Sequence, residues 1–158
     1  MSFEFNADEI FAVAEEIERN GAVFYRDAAK KTQDAAAREF LGELAAMEDD
    51  HLKTFKEMRQ GLTERDRKEM TFDPNDESAL YLNALADTRV FFKKPISTAS
   101  LEDIYKAAIV AEKDSIAFYL GMKELVPPAS GLARLEDIIK EEMRHIRILS
   151  EKLLAFRK

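Results

Sequence analysis

Residues 41–55, LGELAAMEDDHLKTF, and residues 135–149, LEDIIKEEMRHIRIL, decide how this chain folds. Each sets a Glu three residues before a His: Glu48 with His51, and Glu142 with His145. Three residues is just under one helical turn, so each pair shares a helix face. Phe40, Leu44, Met47, Leu52 and Phe55 share the face of the first pair. Leu135, Ile138, Ile139, Ile146 and Leu149 share that of the second. The chain has two histidines in 158 residues, and these are both of them. A lone Glu-x-x-His is a weak signal, since most such pairs are surface contacts in a Glu-rich chain. Two of them, on apolar faces and using every histidine present, form a much stronger one.

The stretches match at an offset of 94 residues, and the match extends along the chain. Glu18 corresponds to Glu112, and Phe24-Tyr25 to Phe118-Tyr119. Ile10, Ala14, Leu41 and Leu52 correspond to Ile104, Ala108, Leu135 and Ile146. In each half the Glu-to-Tyr spacing is seven residues, two helical turns, so Glu and Tyr also share a face. The repeat therefore describes two similar helical hairpins.

Scarce glycine and four prolines (Pro74, Pro95, Pro127, Pro128) leave long stretches fit for helix interiors. The first helix is expected from about Asn6 to Lys30, with Asn6 and Glu9 forming a capping box. Its inner face holds Ile10, Ala14, Ile17, Gly21 and Phe24. The second is expected from an N-cap at Thr32 to about Gln60. The third begins at a Ser100 cap, with Asp103 at N3, and ends near Leu125 before Pro127-Pro128. The fourth runs from near Ser130 to about Phe156. Gly61 to Ala99 is too long for a structureless loop in a compact domain, and Ala79 to Phe92 reads as a shorter helix within it. The expected fold is all-α: one domain over residues 1–158, with hairpins 6–60 and 100–157 joined by a long crossover, 61–99.

Composition removes several functions. With no cysteine, the chain has no disulfide framework, zinc ribbon, iron–sulfur cluster, four-cysteine iron site or cysteine nucleophile. A net charge of -7 disfavours nonspecific binding to nucleic acid or an anionic membrane. No apolar run approaches a membrane span, and the acidic start MSFEFNADEI is unlike a secretory signal. A cytoplasmic protein is expected.

Glu18, Glu48, Glu112 and Glu142 are then expected inside the bundle, beside His51 and His145. Four buried carboxylates are very costly unless protonated or neutralised by cations. Two divalent cations would balance four ionised Glu, and neutral imidazoles would complete the coordination. The sequence thus predicts a dinuclear metal site built from these six residues. Tyr25 and Tyr119 have two readings. Each hydroxyl either bonds to any nearby core group or donates across the bundle to a ligand carboxylate, orienting it. Gly21 and Ser115, three residues past Glu18 and Glu112, either allow close helix packing or leave room beside the metals.

These motifs resemble a rubrerythrin-like member of the ferritin-like di-iron carboxylate superfamily. They are Glu18 in Glu-x-x-Gly-x-x-Phe-Tyr, Glu48-Asp49-Asp50-His51, Glu112 in Glu-x-x-Ser-x-x-Phe-Tyr, and Glu142-Met143-Arg144-His145. The resemblance spans essentially the whole chain. It implies a ferritin-like four-helix bundle with two iron ions, although manganese or zinc also suits the donors. Glu18 and His51 would bind one metal, Glu112 and His145 the other, and Glu48 and Glu142 would bridge. The repeat would make the two metals nearly equivalent. Two departures place the chain nearer the short, stand-alone rubrerythrin-like proteins. It lacks the four cysteines of a rubredoxin-like domain, and Ser115 stands where rubrerythrin has an additional Glu.

The implied activity is a di-iron oxidoreductase using dioxygen or hydrogen peroxide, by peroxide reduction or ferroxidase chemistry. An external electron donor, such as a separate rubredoxin-like protein, would re-reduce it. The alternatives are iron handling or storage, and a non-enzymatic protein with a structural dinuclear metal site. A homodimer is expected. Phe72, Tyr81, Phe91 and Phe92 in the crossover are candidates either for its contact surface or for covering the bundle's own core.

Overall fold

The computed structural model describes residues 6–68, 76–88, 100–126 and 128–157. Among them there are helices and no strands. The long helices are α1 (Ala7–Lys31), α2 (Ala35–Gln60), α5 (Leu101–Leu125) and α6 (Leu132–Leu154); α3 (Glu64–Lys68) and α4 (Glu77–Thr88) lie in the crossover. The expected all-α bundle of two hairpins is therefore present.

The repeat holds to the residue at the helix ends. α1 and α5 are both 25 residues long, and both their ends stand at the same 94-residue offset. Their caps correspond as well. The Asn6 side chain accepts from the Glu9 backbone N–H, completing the capping box, and the Ser100 hydroxyl accepts from Asp103 N–H.

Two caps differ from expectation. Thr32 ends α1 instead of starting α2: its buried hydroxyl donates to Ala28 O at 2.8 Å. Asp34 caps α2, accepting from Ala37 N–H at 2.7 Å, where a carboxylate also gains from the helix dipole. At the other hairpin, Pro128–Ser130 forms a single 3-10 turn. Gly131 then starts α6 with φ 105° and no side-chain cap, a conformation that costs glycine little.

Ion pairs show the antiparallel pairing. Arg59, near the end of α2, grips Asp8 at the start of α1 through two hydrogen bonds (2.9 and 3.1 Å) and reaches the buried Glu15 at 3.0 Å. Lys123 of α5 meets Glu136 of α6 at 3.3 Å. α4 lies on α5, where the Tyr81 hydroxyl donates to Ala117 O at 2.5 Å. The Tyr81 ring covers Gly121, whose added Cβ would fall 2.7 Å from it. Tyr81 thus packs on α5 while staying 38% exposed, and Phe72, Phe91 and Phe92 lie outside the described residues. The crossover helix expected over Ala79 to Phe92 is helical through its described residues, 79–88, beginning two residues earlier as α4 (Glu77–Thr88), and the remainder to Phe92 lies outside them.

The core forms two apolar clusters. One holds Ile10, Phe11, Ile17, Phe55, Phe118, Met122, Leu135 and Ile138. The other holds Phe24, Leu41, Leu44, Ile104, Ala108 and Leu149. Along each of the four long helices, the residues between these clusters are the polar ones discussed next. Among the described residues, no helix is long and apolar enough to cross a membrane.

Candidate metal centre

The helices deliver all six candidate residues to the space between the apolar clusters. α1 carries Glu18, α2 carries Glu48 and His51, α5 carries Glu112, and α6 carries Glu142 and His145. None is more than 3% exposed. Each points inward because the residues one turn before or after it belong to the core face.

Their ligand-type atoms form two overlapping sets. One atom each from Glu18, Glu48, His51 and Glu142 lies within 4.8 Å of the others, and so do atoms from Glu48, Glu112, Glu142 and His145. Glu48 and Glu142 belong to both sets. The two imidazoles stack with centroids 5.9 Å apart and planes 21° from parallel. Both turn Nδ1 toward the carboxylates. His51 Nδ1 is 2.8 Å from Glu142 Oε1 and 3.4 Å from Glu18 Oε2. His145 Nδ1 is 3.1 Å from Glu142 Oε2, 3.4 Å from Glu112 Oε1 and 3.5 Å from Glu48 Oε1.

Both tyrosine hydroxyls reach a carboxylate across the bundle. Tyr25 of α1 donates to Glu112 Oε1 of α5 at 2.5 Å, and Tyr119 of α5 donates to Glu18 Oε1 of α1. Both tyrosines are fully buried. Each half of the repeat thus holds a carboxylate of the other, and the second oxygen of each, Glu18 Oε2 and Glu112 Oε2, is buried without a hydrogen-bond partner. Ser115 is buried, and its hydroxyl donates to Ala111 O of its own helix at 3.1 Å, which fits the packing reading of that position.

Several buried atoms at the centre lack hydrogen-bond partners: Glu18 Oε2, Glu48 Oε1, Glu112 Oε2, Glu142 Oε1 and His51 Nδ1. The close approach of His51 Nδ1 to Glu142 is not aligned as a hydrogen bond. Buried polar groups are rarely left unpartnered. Here four carboxylate oxygens and an imidazole nitrogen converge, which is the donor set that hard and borderline divalent cations prefer. These residues fit a dinuclear metal site.

The charges in the cluster show the same need. Burial pushes the Glu48 carboxyl well above the usual range, and the carboxylates of Glu142, Glu18 and Glu112 add to it. Burial and the Glu142 carboxylate do the same to Glu112. Burial would raise Glu142 too, but the adjoining Glu112 carboxyl and the His145 and His51 imidazoles outweigh it and hold Glu142 low. Burial opposes charge on the histidines, yet the attached carboxylates overcome it. His51 is pushed up to about 12 by Glu142 and Glu18, and His145 to about 9 by Glu112 and Glu142. Burial first, then the neighbouring carboxylates, raise Tyr25 and Tyr119 well above the usual phenol range, so both remain donors.

The expectation fails at Met47. Its expected place is the inner face of α2, but it is 37% exposed at the seam with α6, with Sδ 3.2 Å from His145 Nε2. Across the same seam, Glu141 Oε2 lies 2.6 Å from His51 Nε2. Neither contact was anticipated from sequence. The available signal was position: each of these residues immediately precedes the Glu of a Glu-x-x-His pair.

Comparison with known proteins agrees with this architecture. No curated protein matches the chain. A crystal structure from Thermotoga maritima, of a protein provisionally described as a ferritin-like diiron-carboxylate protein, superposes with a TM-score of 0.69 at 22% identity. The match covers 94% of this chain and 95% of that one. The sequence pattern of the ferritin-like domain matches residues 6–155, so the chain belongs to the ferritin-like domain family.

Proposed function

We propose that this chain is a di-iron carboxylate oxidoreductase of the rubrerythrin-like kind, acting on hydrogen peroxide or dioxygen. The observation that carries the reading is the pair of overlapping four-residue sets sharing Glu48 and Glu142, with a buried, unpartnered oxygen on each of the four glutamates. In this proposal Glu18 and His51 hold one metal, Glu112 and His145 hold the other, and Glu48 and Glu142 lie between both. The Thermotoga maritima protein's description as a diiron-carboxylate protein supports iron as the metal.

When bound, a ferrous pair supplies two electrons, enough with two protons to reduce one hydrogen peroxide to two waters. The chain's residues set the conditions. Tyr25 and Tyr119 hold Glu112 and Glu18 by donating to one oxygen of each, leaving the other free. Both imidazoles present Nδ1 inward and must be neutral there to ligate, so loading weakens in acid. The two apolar clusters limit water around the site. Re-reduction is assigned to a separate electron-donor protein, and the working form to a homodimer.

The test is to prepare metal-free protein, add ferrous iron anaerobically, and then admit peroxide or oxygen while following iron oxidation optically. The proposal expects two irons per chain and rapid oxidation by at least one oxidant. Binding of iron with no oxidation by either would overturn the redox reading. Failure to bind iron, manganese or zinc would overturn the metal centre itself.

A further inference from the structure

The internal repeat makes most of the centre twofold. Glu18 pairs with Glu112, Tyr25 with Tyr119, Glu48 with Glu142 and His51 with His145, each at the same offset. The symmetry breaks at the outward ring nitrogens. Met47 and Glu141 occupy equivalent positions in the repeat, each one residue before a Glu of the centre. They cross the α2–α6 seam in opposite directions. Glu141 Oε2 sits 2.6 Å from His51 Nε2, and Met47 Sδ sits 3.2 Å from His145 Nε2. Equivalent positions thus hold a carboxylate over one histidine and a thioether over the other.

We propose that Glu141 and Met47 are positioning residues that make the two metal positions unequal, so that the His51 position fills first. This rests on the dinuclear reading above. A carboxylate accepts a strong hydrogen bond from a ring N–H, whereas a thioether sulfur is a weak acceptor. The bond to Glu141 fixes the His51 tautomer with hydrogen on Nε2, leaving the Nδ1 lone pair facing the centre. It also makes that nitrogen a stronger donor, and the Glu141 charge lies nearer the cation held by His51. Met47 gives His145 no comparable hold. Such outer partners commonly change metal affinity about ten- to hundredfold. The remaining donors are matched by the repeat: each set has one Glu held by a tyrosine, the shared Glu48 and Glu142, and one imidazole.

With two histidines in the chain, the ring-nitrogen NMR spectrum of the full protein contains two imidazoles, which makes the order of filling readable. Zinc is the probe, being diamagnetic and redox-inert. On adding one equivalent of Zn2+ to metal-free protein, His51 Nδ1 is expected to take its metal-bound shift first, with His145 following on the second equivalent. Glu141→Met should weaken the first step about tenfold or more and bring the two steps together. The exchange of both residues, Met47→Glu with Glu141→Met, should reverse the order, an outcome that loss of packing does not produce. Equal filling in the natural chain, or an unchanged order in the folded exchange variant, would overturn the inequality. Zinc that shifts neither ring would instead overturn the metal centre. Where the exchange variant does not fold, Glu141→Gln supplies the measurement: it keeps shape and removes charge, and an unchanged first step would overturn the role of Glu141.

Discussion

Tyr25 and Tyr119 are where single atoms matter most. Each phenol is buried, donates to one oxygen of a carboxylate on the opposite hairpin, and stays protonated because burial and nearby carboxylates raise it. Tyr25→Phe leaves the ring packing in place and removes the donor to Glu112. A buried acceptor without its partner costs about 1–3 kcal/mol, so the metal-free variant should melt several degrees lower. The freed Glu112 should also rotate, weakening metal binding about tenfold. Tyr119→Phe should do the same to Glu18. Calorimetry and zinc titration of both variants check this, and unchanged affinity in both would remove the orienting role. The inward facing of these tyrosines and of the six candidate ligands was legible in sequence, because sharing a face is a local property of helix spacing, whereas that spacing leaves the partner of each hydroxyl open. Met47 and Glu141 were not legible. Their contacts run across the α2–α6 seam to the histidine of the other hairpin, and helix periodicity is silent about which edge of a face meets a neighbour.

Among the elements, helix ends carry the clearest lesson. The caps at Asn6 and Ser100 follow from side chains that reach their own N3 amides, so sequence identified them. Thr32 and Asp34 compete for one short connection, and the outcome turns on Thr32 finding Ala28 O within α1. The start of α6 is harder still, since no side chain caps it and Gly131 works through its backbone alone. An added Cβ there would strain the positive φ and fall 2.8 Å from Met58 Cε. Gly131→Ala should therefore destabilise by about 1 kcal/mol. The expected signature is a melting temperature lower by a few degrees with two metals still bound, since Gly131 lies more than two turns from Glu142 along α6. A variant that melts at the natural temperature would show that this backbone conformation carries no strain for alanine. In the crossover, α3 escaped the sequence reading because its five residues, ERDRK, have no apolar periodicity to detect.

For the whole molecule, the polar centre between two apolar clusters makes folding and metal loading opposed functions of pH. The metal-free fold tolerates its buried carboxylates by holding protons. Glu48 and Glu112 titrate above their ordinary 4.5, and His51 and His145 rise from 6.5 to about 12 and about 9. A group raised on folding contributes stability that is complete below its ordinary value and is lost as pH climbs through its folded value. The histidine contributions therefore decline from 6.5 upward, and those of the two glutamates from 4.5 upward. Glu142, held low, acts in the other direction, with stability present above 4.5 and lost as pH falls through its depressed value. From about pH 6.5 to pH 9 both histidines act in this direction, and the metal-free chain should melt at steadily lower temperature as pH rises. Metal replaces those protons, since carboxylates and neutral imidazoles are the ligating forms. With zinc at a fixed excess, the melting temperature should instead rise over the same interval, because tighter binding to the folded state adds stability by mass action. The two melting curves should thus diverge with pH, and metal addition to an unbuffered solution should release more than one proton per chain. A metal-free profile that is flat, together with loading that releases no protons, would show that the cluster is not held together by protons when metal is absent.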